Sequence, residues 1–230
     1  MADTLTYRVV SDTEKRAVIQ VTNLSDGSGE SANLKINVAN LAYAASLVTL
    51  TAAGPVGSYF RIGETVRPNG NVTANAVVAA FDPSSLKLSL VSVNQPGAFV
   101  NAATLVGLTT NVTLIQSGAL VSPNCRVMVQ GLQWCVSDGK AVQLQWHGNS
   151  GGANSTTLYI CSGSDHFNAT MAPQHNIQND ANVADGNITA TTINFANNDS
   201  YTVVFDLKKT SGYQALLKET NPNFGFVGVN

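Results

Sequence analysis

Charged side chains are scarce in this chain of 230 residues. Lys, Arg, Asp and Glu make up 11% of it, against roughly 25% in typical soluble domains. The 12 basic and 14 acidic residues leave a net charge of -2, which gives no long-range field to attract a phosphate backbone. We therefore expect no nucleic-acid partner.

Long apolar runs are also missing. No apolar stretch approaches the ~18 residues of a membrane-spanning helix, so we expect no membrane partner. The opening residues, MADTLTYRVVSDTEKR, lack a basic segment followed by an apolar core, so we expect no secretory signal. Three cysteines are an odd number, which favours reduced and buried thiols, although a bend near Gly131 would allow a disulfide between Cys125 and Cys135.

Metal-ligating residue types occur around one predicted strand. His147, Cys161, His166 and His175 lie in or beside the two loops that flank it. The Cys-x4-His-x8-His spacing matches no standard zinc site. The sequence therefore predicts no metal site and no cofactor.

Catalytic motifs are equally sparse. Asp165 and His166 lie close in sequence to Ser162 and Ser164, so the residue types of a Ser-His-Asp hydrolytic triad are present there. No Gly-x-Ser-x-Gly elbow accompanies them. We expect no catalytic residues and a protein that is not an enzyme, with a hydrolase as the minor alternative.

What the sequence has in abundance is alternation of apolar and polar residues, the period of a half-buried strand. Val142, Leu144 and Trp146 alternate with glutamines, and the stretch from Val127 to Val136 alternates in the same way. Because Ser137-Asp138-Gly139-Lys140 between them is typical of a tight turn, the pattern predicts a β-hairpin with one buried tryptophan on each strand.

Similar stretches recur along the chain and predict an all-β protein, an antiparallel β-sandwich with an inserted small β-barrel. Further strands are expected at 5–10, 17–21, 34–38, 47–50, 156–161, 188–195 and 200–207. The expected organisation is sandwich strands at 1–54, the inserted barrel at 55–113, the main sandwich at 114–215 and a C-terminal arm at 216–230.

The barrel segment repeats itself. Phe60, Gly63-Glu64-Thr65-Val66 and Asn71-Val72-Thr73 are followed, 39 to 40 residues later, by Phe99, Ala102-Ala103-Thr104-Leu105 and Asn111-Val112-Thr113. Five or six short strands with Gly or Pro at most corners indicate a closed barrel. The second copy has Ala102-Ala103 in place of Gly63-Glu64, which loosens the turn assignment there.

This segment resembles a small β module of virion structural proteins in tailed bacteriophages. The resemblance rests on a Phe-x-x-Gly-Glu-x-Val pattern, an Ala/Val-rich strand, a hairpin that reads Asp-x-x-x-Leu-x-Leu in this sequence, and a Gly-x-Phe-x-x-x-x-x-Leu-x-Gly segment. The matching residues are Phe60, Gly63, Glu64, Val66, Ala76, Val77, Asp82, Leu86, Leu88, Gly97, Phe99, Leu105 and Gly107. It covers about a quarter of the chain, and it implies a location in the virion without implying a reaction.

The resemblance leads us to expect a capsid decoration or cement protein that contacts other virion proteins and copies of itself. A tail or baseplate protein is an alternative, and so is a carbohydrate-binding module with Trp134, Trp146, Tyr159 and Phe167 as its platform. The expected contact regions are the 162–185 loop and the C-terminal arm. Their candidate interaction residues are Phe167, Met171, His175, Phe224, Phe226 and Val227.

Overall fold

The computed structural model describes residues 3–51, 59–82, 85–148, 155–168, 177–178 and 184–216. These residues form sixteen strands and two short 3-10 turns, and none of them is in an α-helix. The protein is thus all-β, as the alternation predicts. No helix in the described ranges is long and apolar enough to cross a membrane.

The strands follow one another in this order: β1 (Thr4–Asp12), β2 (Arg16–Asp26), β3 (Asn33–Ile36), β4 (Ala45–Leu50), β5 (Thr65–Pro68), β6 (Ala76–Asp82), β7 (Lys87–Val91), β8 (Thr104–Gly107), β9 (Thr113–Val121), β10 (Arg126–Val136), β11 (Ala141–Gly148), β12 (Thr156–Ser162), β13 (Ser164–Asn168), β14 (Ile177–Gln178), β15 (Ala184–Ile193) and β16 (Asn197–Ser211). They belong to two compact units, one of residues 1–41 and 124–211, the other of residues 42–123 and 212–230.

The first unit is an antiparallel β-sandwich. One sheet has six strands in the order β1-β2-β16-β10-β13, with β14 beside β13 on the same edge of β10. The other sheet has four strands in the order β12-β11-β15-β3. The core between them contains alternate residues of strands such as β2, β11 and β16, for example Tyr201, Val203, Phe205 and Leu207 of β16. This face of β16 is the one that its sequence pattern predicts.

The prediction that residues 125–146 form a β-hairpin is wrong, because its two strands do not pair with each other. β10 lies in the six-stranded sheet and β11 in the four-stranded sheet, so the Ser137–Lys140 turn crosses from one sheet to the other. Trp134 and Trp146 are both buried in the core. Alternation shows that each strand has one buried face, but it does not show which neighbour shares its backbone hydrogen bonds.

The second unit contains a closed six-stranded barrel in the order β4-β7-β6-β5-β8-β9. Phe60, Val66, Leu88, Phe99 and Leu105 are among the buried residues that fill it. The barrel includes β4 and β9, two strands that the sequence assigns to the sandwich at 1–54 and 114–215. Both strands bury alternate residues, a pattern that fits a barrel wall as well as a sandwich face.

The sequence repeat is present in the backbone of the barrel. The Gly63 N–H donates to the Val78 carbonyl at 2.8 Å, and the Ala102 N–H donates to the Gln116 carbonyl at 3.0 Å. The two repeated strands, β5 and β8, are antiparallel neighbours. Ala102 keeps the turn of the first copy, with φ of 63° against 84° for Gly63, so the substitution does not loosen the turn.

Candidate functional site

Phe167, the first of the candidate interaction residues, lies on an edge of the sandwich. In β13 it pairs with Leu132 of β10, and because directly paired residues point to the same side of a sheet, Phe167 faces the interior. Its ring lies 6.1 Å from Tyr159, whose ring lies 5.1 Å from Trp134. These three aromatic residues thus connect β12 of one sheet with β10 and β13 of the other.

The segment around Phe167 is more ordered than the irregular loop expected at 162–185. Residues 164–168 form β13, and residues 177–178 form β14, both paired with β10. The sequence SDHFN carries no alternation, so the strand depends on the backbone groups that β10 offers at its edge. The other candidates, Met171, His175, Phe224, Phe226 and Val227, lie outside the described residues.

The two tryptophans do not form a carbohydrate platform. Trp134 is 6% exposed and Trp146 is 2% exposed, and the Trp134 indole N–H donates to the Ser162 carbonyl at 3.1 Å. A sugar stacks on an accessible ring face, which neither residue offers. Their place in the core is the one that their alternating apolar neighbours predict.

A shallow depression of about 430 Å³ lies beside β13, with Gly131, Gln133, His166, Asn168, Val204 and Asp206 among its lining residues. Gly131 sits at a bulge in β10, and a Cβ there would lie 3.3 Å from the Phe167 carbonyl oxygen. Arg16 donates two hydrogen bonds of 2.6 Å to the Asp206 carboxylate. The depression can offer hydrogen bonds to a partner, but its carboxylate is already paired.

The triad suggested by residue type is not assembled around Ser164. The Ser164 hydroxyl donates to Sγ of Cys135 at 3.1 Å. His166 Nδ1 lies 3.7 Å from Oδ1 of Asp165, and both side chains are largely exposed. Such an exposed pair gives the imidazole no fixed orientation toward a nucleophile.

The described residues contain no group of three or more His, Cys, Asp or Glu that could hold a metal ion. His166 and Cys161 are both in this part of the chain, whereas His175 is outside it. Cys161 is buried, and burial raises the pKa of its thiol to about 12. A thiol in this state is a poor ligand and a poor nucleophile at neutral pH.

Three polar side chains, those of Glu30, Lys35 and Tyr201, meet in the sandwich core, whereas the sequence predicts only that Tyr201 lies on the buried face of its strand. Lys35 forms an ion pair with Glu30, and both side chains are buried. The Tyr201 hydroxyl donates to the other carboxylate oxygen of Glu30 at 2.7 Å, and the Lys35 ammonium lies 5.9 Å from the centre of the Tyr201 ring. Burial, and after it the hydrogen bond to Glu30, raises the pKa of Tyr201. The group ties β3 to β16 across the two sheets.

A second buried carboxylate links the two copies of the barrel repeat. Glu64 accepts hydrogen bonds from the Thr110 N–H at 3.2 Å and from the Thr110 hydroxyl at 3.0 Å. A Cβ at Gly107 would overlap Oε1 of Glu64 and lie 2.7 Å from the Thr110 hydroxyl oxygen. Glu64 and Gly107, the last glycine of the phage-module pattern, therefore fit each other sterically.

The strand β1 forms an exposed surface of the sandwich. Leu5, Tyr7 and Val9, which we name the apolar strip, are 49%, 46% and 47% exposed. The sequence predicts this strand from its alternation but not the exposure of its apolar side. Nothing in the alternation separates β1 from a core strand, because exposure depends on how far the opposite sheet extends.

Comparison with known proteins adds little to this description. No protein-family model matches the chain, and no curated protein does. Among solved structures, the chain is similar to the VP16-VP17 complex, described as a complex of the two major capsid proteins of bacteriophage P23-77. The two are 10% identical in sequence, the alignment covers 90% of each chain, and the TM-score is 0.15. A similarity at this TM-score carries no argument about the present chain.

Proposed function

We propose that this chain is a non-enzymatic structural protein of a bacteriophage virion, and that it acts as a decoration or cement protein of the capsid. The observation that supports the proposal most is the role of the phage-module residues in the barrel. Phe60, Phe99 and Leu105 fill its core, Gly63 makes a turn, and Glu64 packs against Gly107. These are structural roles, and the module brings no reactive group with it.

The proposed mechanism is the addition of contact area between neighbouring subunits of a particle. A chain with 11% charged residues has little self-repulsion, which is compatible with close packing among other subunits. A contact that is modest in one copy becomes strong when it is repeated over a symmetric lattice. The 162–185 segment and the C-terminal arm at 216–230 are the proposed contact regions, and a tail or baseplate position is the alternative.

The test is to locate the protein in purified phage particles by mass spectrometry. We expect it in a fixed ratio to the major shell protein, and we expect a mild chaotrope to release it while the shell stays intact. Separation of heads from tails before the measurement distinguishes the capsid position from the tail position. Recovery of the chain only from the cytosol of infected cells would refute the structural role.

The contact regions are tested with variants added back to particles that lack the protein. Phe224→Ser combined with Phe226→Ser is expected to lower the amount bound per particle. Val72→Ser is the matched control, because Val72 is an apolar residue of the barrel that is 70% exposed and is not a proposed contact. Equal binding of the two variants would remove the arm from the proposal.

A further inference from the structure

We propose that β1 is a dimerisation strand, and that it pairs antiparallel with β1 of a second copy of this chain. The pairing would join the two six-stranded sheets edge to edge about a two-fold axis. This inference goes beyond the virion role and does not depend on it. It rests on the exposure, the anchoring and the residue pattern of β1.

The apolar strip faces inward but is not covered. Leu5, Tyr7 and Val9 pair with Asn23, Val21 and Ile19 of β2, and these three partners are buried in the core. Directly paired residues share a face, so the strip lies on the core side of its sheet. Since its residues remain about half exposed, the inner side of β1 extends past the part of the sheet that the four-stranded sheet covers.

Polar contacts at both ends hold β1 in place, although none of its residues is buried. Near its start, the Asp3 carboxylate accepts the Asp26 N–H at 2.9 Å and the Asn23 side-chain amide at 3.3 Å. At its end, the buried Lys209 ammonium donates to the Asp12 carboxylate at 2.5 Å. These polar contacts therefore hold β1 in an extended conformation, although its apolar side chains are not buried.

The outer edge of β1 is open to pairing. β1 is the last strand of its sheet, and no other described strand pairs with that edge. Sheet edges that stay unpaired are usually protected by charged residues (lysine above all), by proline, by bulges or by a short length. β1 has nine residues with no lysine and no proline, and its bulge, between Val9 and Ser11, comes only after the apolar strip.

The sequence of β1 is complementary to itself in one register. If the two-fold axis passes through Tyr7, then Tyr7 lies opposite Tyr7, Leu5 opposite Val9, and Thr6 opposite Arg8 of the second copy. Every residue of the apolar strip then meets another one, and no like charges are directly opposed. An axis through Arg8 would oppose two arginines, which destabilises a strand pair, and an axis through Thr6 would oppose Val9 and Asp3.

The contact is large enough for a weak dimer. Covering the exposed half of Tyr7 removes roughly 100 Å² from water, and a paired strand of this length would bury on the order of 500 Å² per copy in all. The total of about 1,000 Å² is at the lower limit for a specific interface. We therefore expect a dimer in solution at high protein concentration.

Sedimentation velocity of the full chain at a high concentration, about 100 µM, tests the inference. Wild type should be a dimer, and Leu5→Lys combined with Val9→Lys should be a folded monomer, because inward-pointing lysines block edge pairing. Ile160→Lys is the control, since Ile160 is 55% exposed in β12 of the other sheet, and it should stay dimeric. A monomeric wild type, or a dimeric double-lysine variant, would overturn the proposal.

Cross-linking tests the proposed register of the two β1 strands. Each variant changes one residue of the apolar strip. In a Cys135→Ser background, Tyr7→Cys should be joined across the axis by a short bismaleimide. Leu5→Cys should not be joined, because the two copies of residue 5 would lie about 14 Å apart along the strands. Cross-linking of Leu5→Cys in place of Tyr7→Cys would overturn the proposed register. Neither result bears on the presence of the chain in particles.

Discussion

Gly63 and Ala102 occupy the same turn in the two copies of the barrel repeat, and both have positive φ, 84° and 63°. Glycine adopts this conformation at no steric cost, whereas an L-residue loses about 1–2 kcal/mol there. The second copy therefore carries a strain that the first copy avoids. This asymmetry leads to the first prediction.

Ala102→Gly is expected to increase the free energy of unfolding by about 0.5–1 kcal/mol, because relief of strain exceeds the added entropy of the unfolded chain. Gly63→Ala should lower it by about 1 kcal/mol, since a Cβ at 63 has open space and only φ opposes it. Urea denaturation measures both. Ala103→Gly, at a neighbouring residue without positive φ, is the control and should destabilise; stabilisation by this control as well would contradict the account.

Gly107→Ala is expected to destabilise the protein by about 1–3 kcal/mol, because its Cβ would displace the Glu64 carboxylate and the Thr110 hydroxyl. Thermal and urea denaturation measure the loss. Gly97→Ala is the matched control, because a Cβ at 97 meets no atom within 4 Å. If Glu64→Ala fails to reduce the cost of Gly107→Ala in a double-mutant cycle, the steric explanation is wrong.

The stability of the barrel should depend on the ionisation of Glu64. Burial raises the pKa of this carboxyl above its ordinary value of 4.5, against the opposing hydrogen bonds from Thr110. Because the folded state holds the proton more tightly than the unfolded state, this contribution to stability is fully present below pH 4.5 and is lost as the pH rises through the raised pKa.

The measurement is the free energy of unfolding of wild type and of Glu64→Gln from about pH 4 to about pH 8. The wild-type value minus the variant value should fall as the pH rises, since glutamine does not titrate. Other carboxylates contribute equally to both proteins and cancel in the difference. A difference that increases with pH would show that Glu64 is held as the carboxylate.

Removal of one partner of the buried Lys35–Glu30 ion pair should lower the free energy of unfolding more than replacement of both partners by uncharged residues. Lys35→Met leaves Glu30 charged in the core, with the Tyr201 hydroxyl as its remaining side-chain donor among the described residues, and we expect a loss of about 3–5 kcal/mol. Addition of Glu30→Gln should recover about 2 kcal/mol, because the amide needs no counter-ion. Urea denaturation checks both variants, and a double variant that is less stable than Lys35→Met would contradict the prediction.

One thiol per chain should react rapidly with a thiol reagent in the native protein. Cys135 is exposed, whereas Cys125 and Cys161 are buried, and burial raises the pKa of Cys161 to about 12. Titration with Ellman's reagent at about pH 8 should therefore give one equivalent, and all three cysteines should react after denaturation. Cys135→Ser should remove the rapid phase, and a rapid phase that persists in this variant would show that a buried cysteine is accessible.

Local properties of the sequence determined most of the strands, the buried faces of core strands such as β16, and the turns of the barrel repeat. Tyr201, Val203, Phe205 and Leu207 alternate with less buried neighbours and are buried together. Gly63 marks a turn with positive φ. Such features can be predicted because side-chain direction alternates along any strand and because few residues tolerate positive φ.

Only the tertiary structure decided which strands are neighbours. It placed β10 and β11 in opposite sheets, assigned β4 and β9 to the barrel, and brought Glu30 and Lys35 to Tyr201. It also left the apolar side of β1 uncovered. Alternation is a property of a single strand, whereas pairing and burial depend on residues far away in the chain, so the same pattern in β1 and β16 leads to an exposed edge in one and to the core in the other.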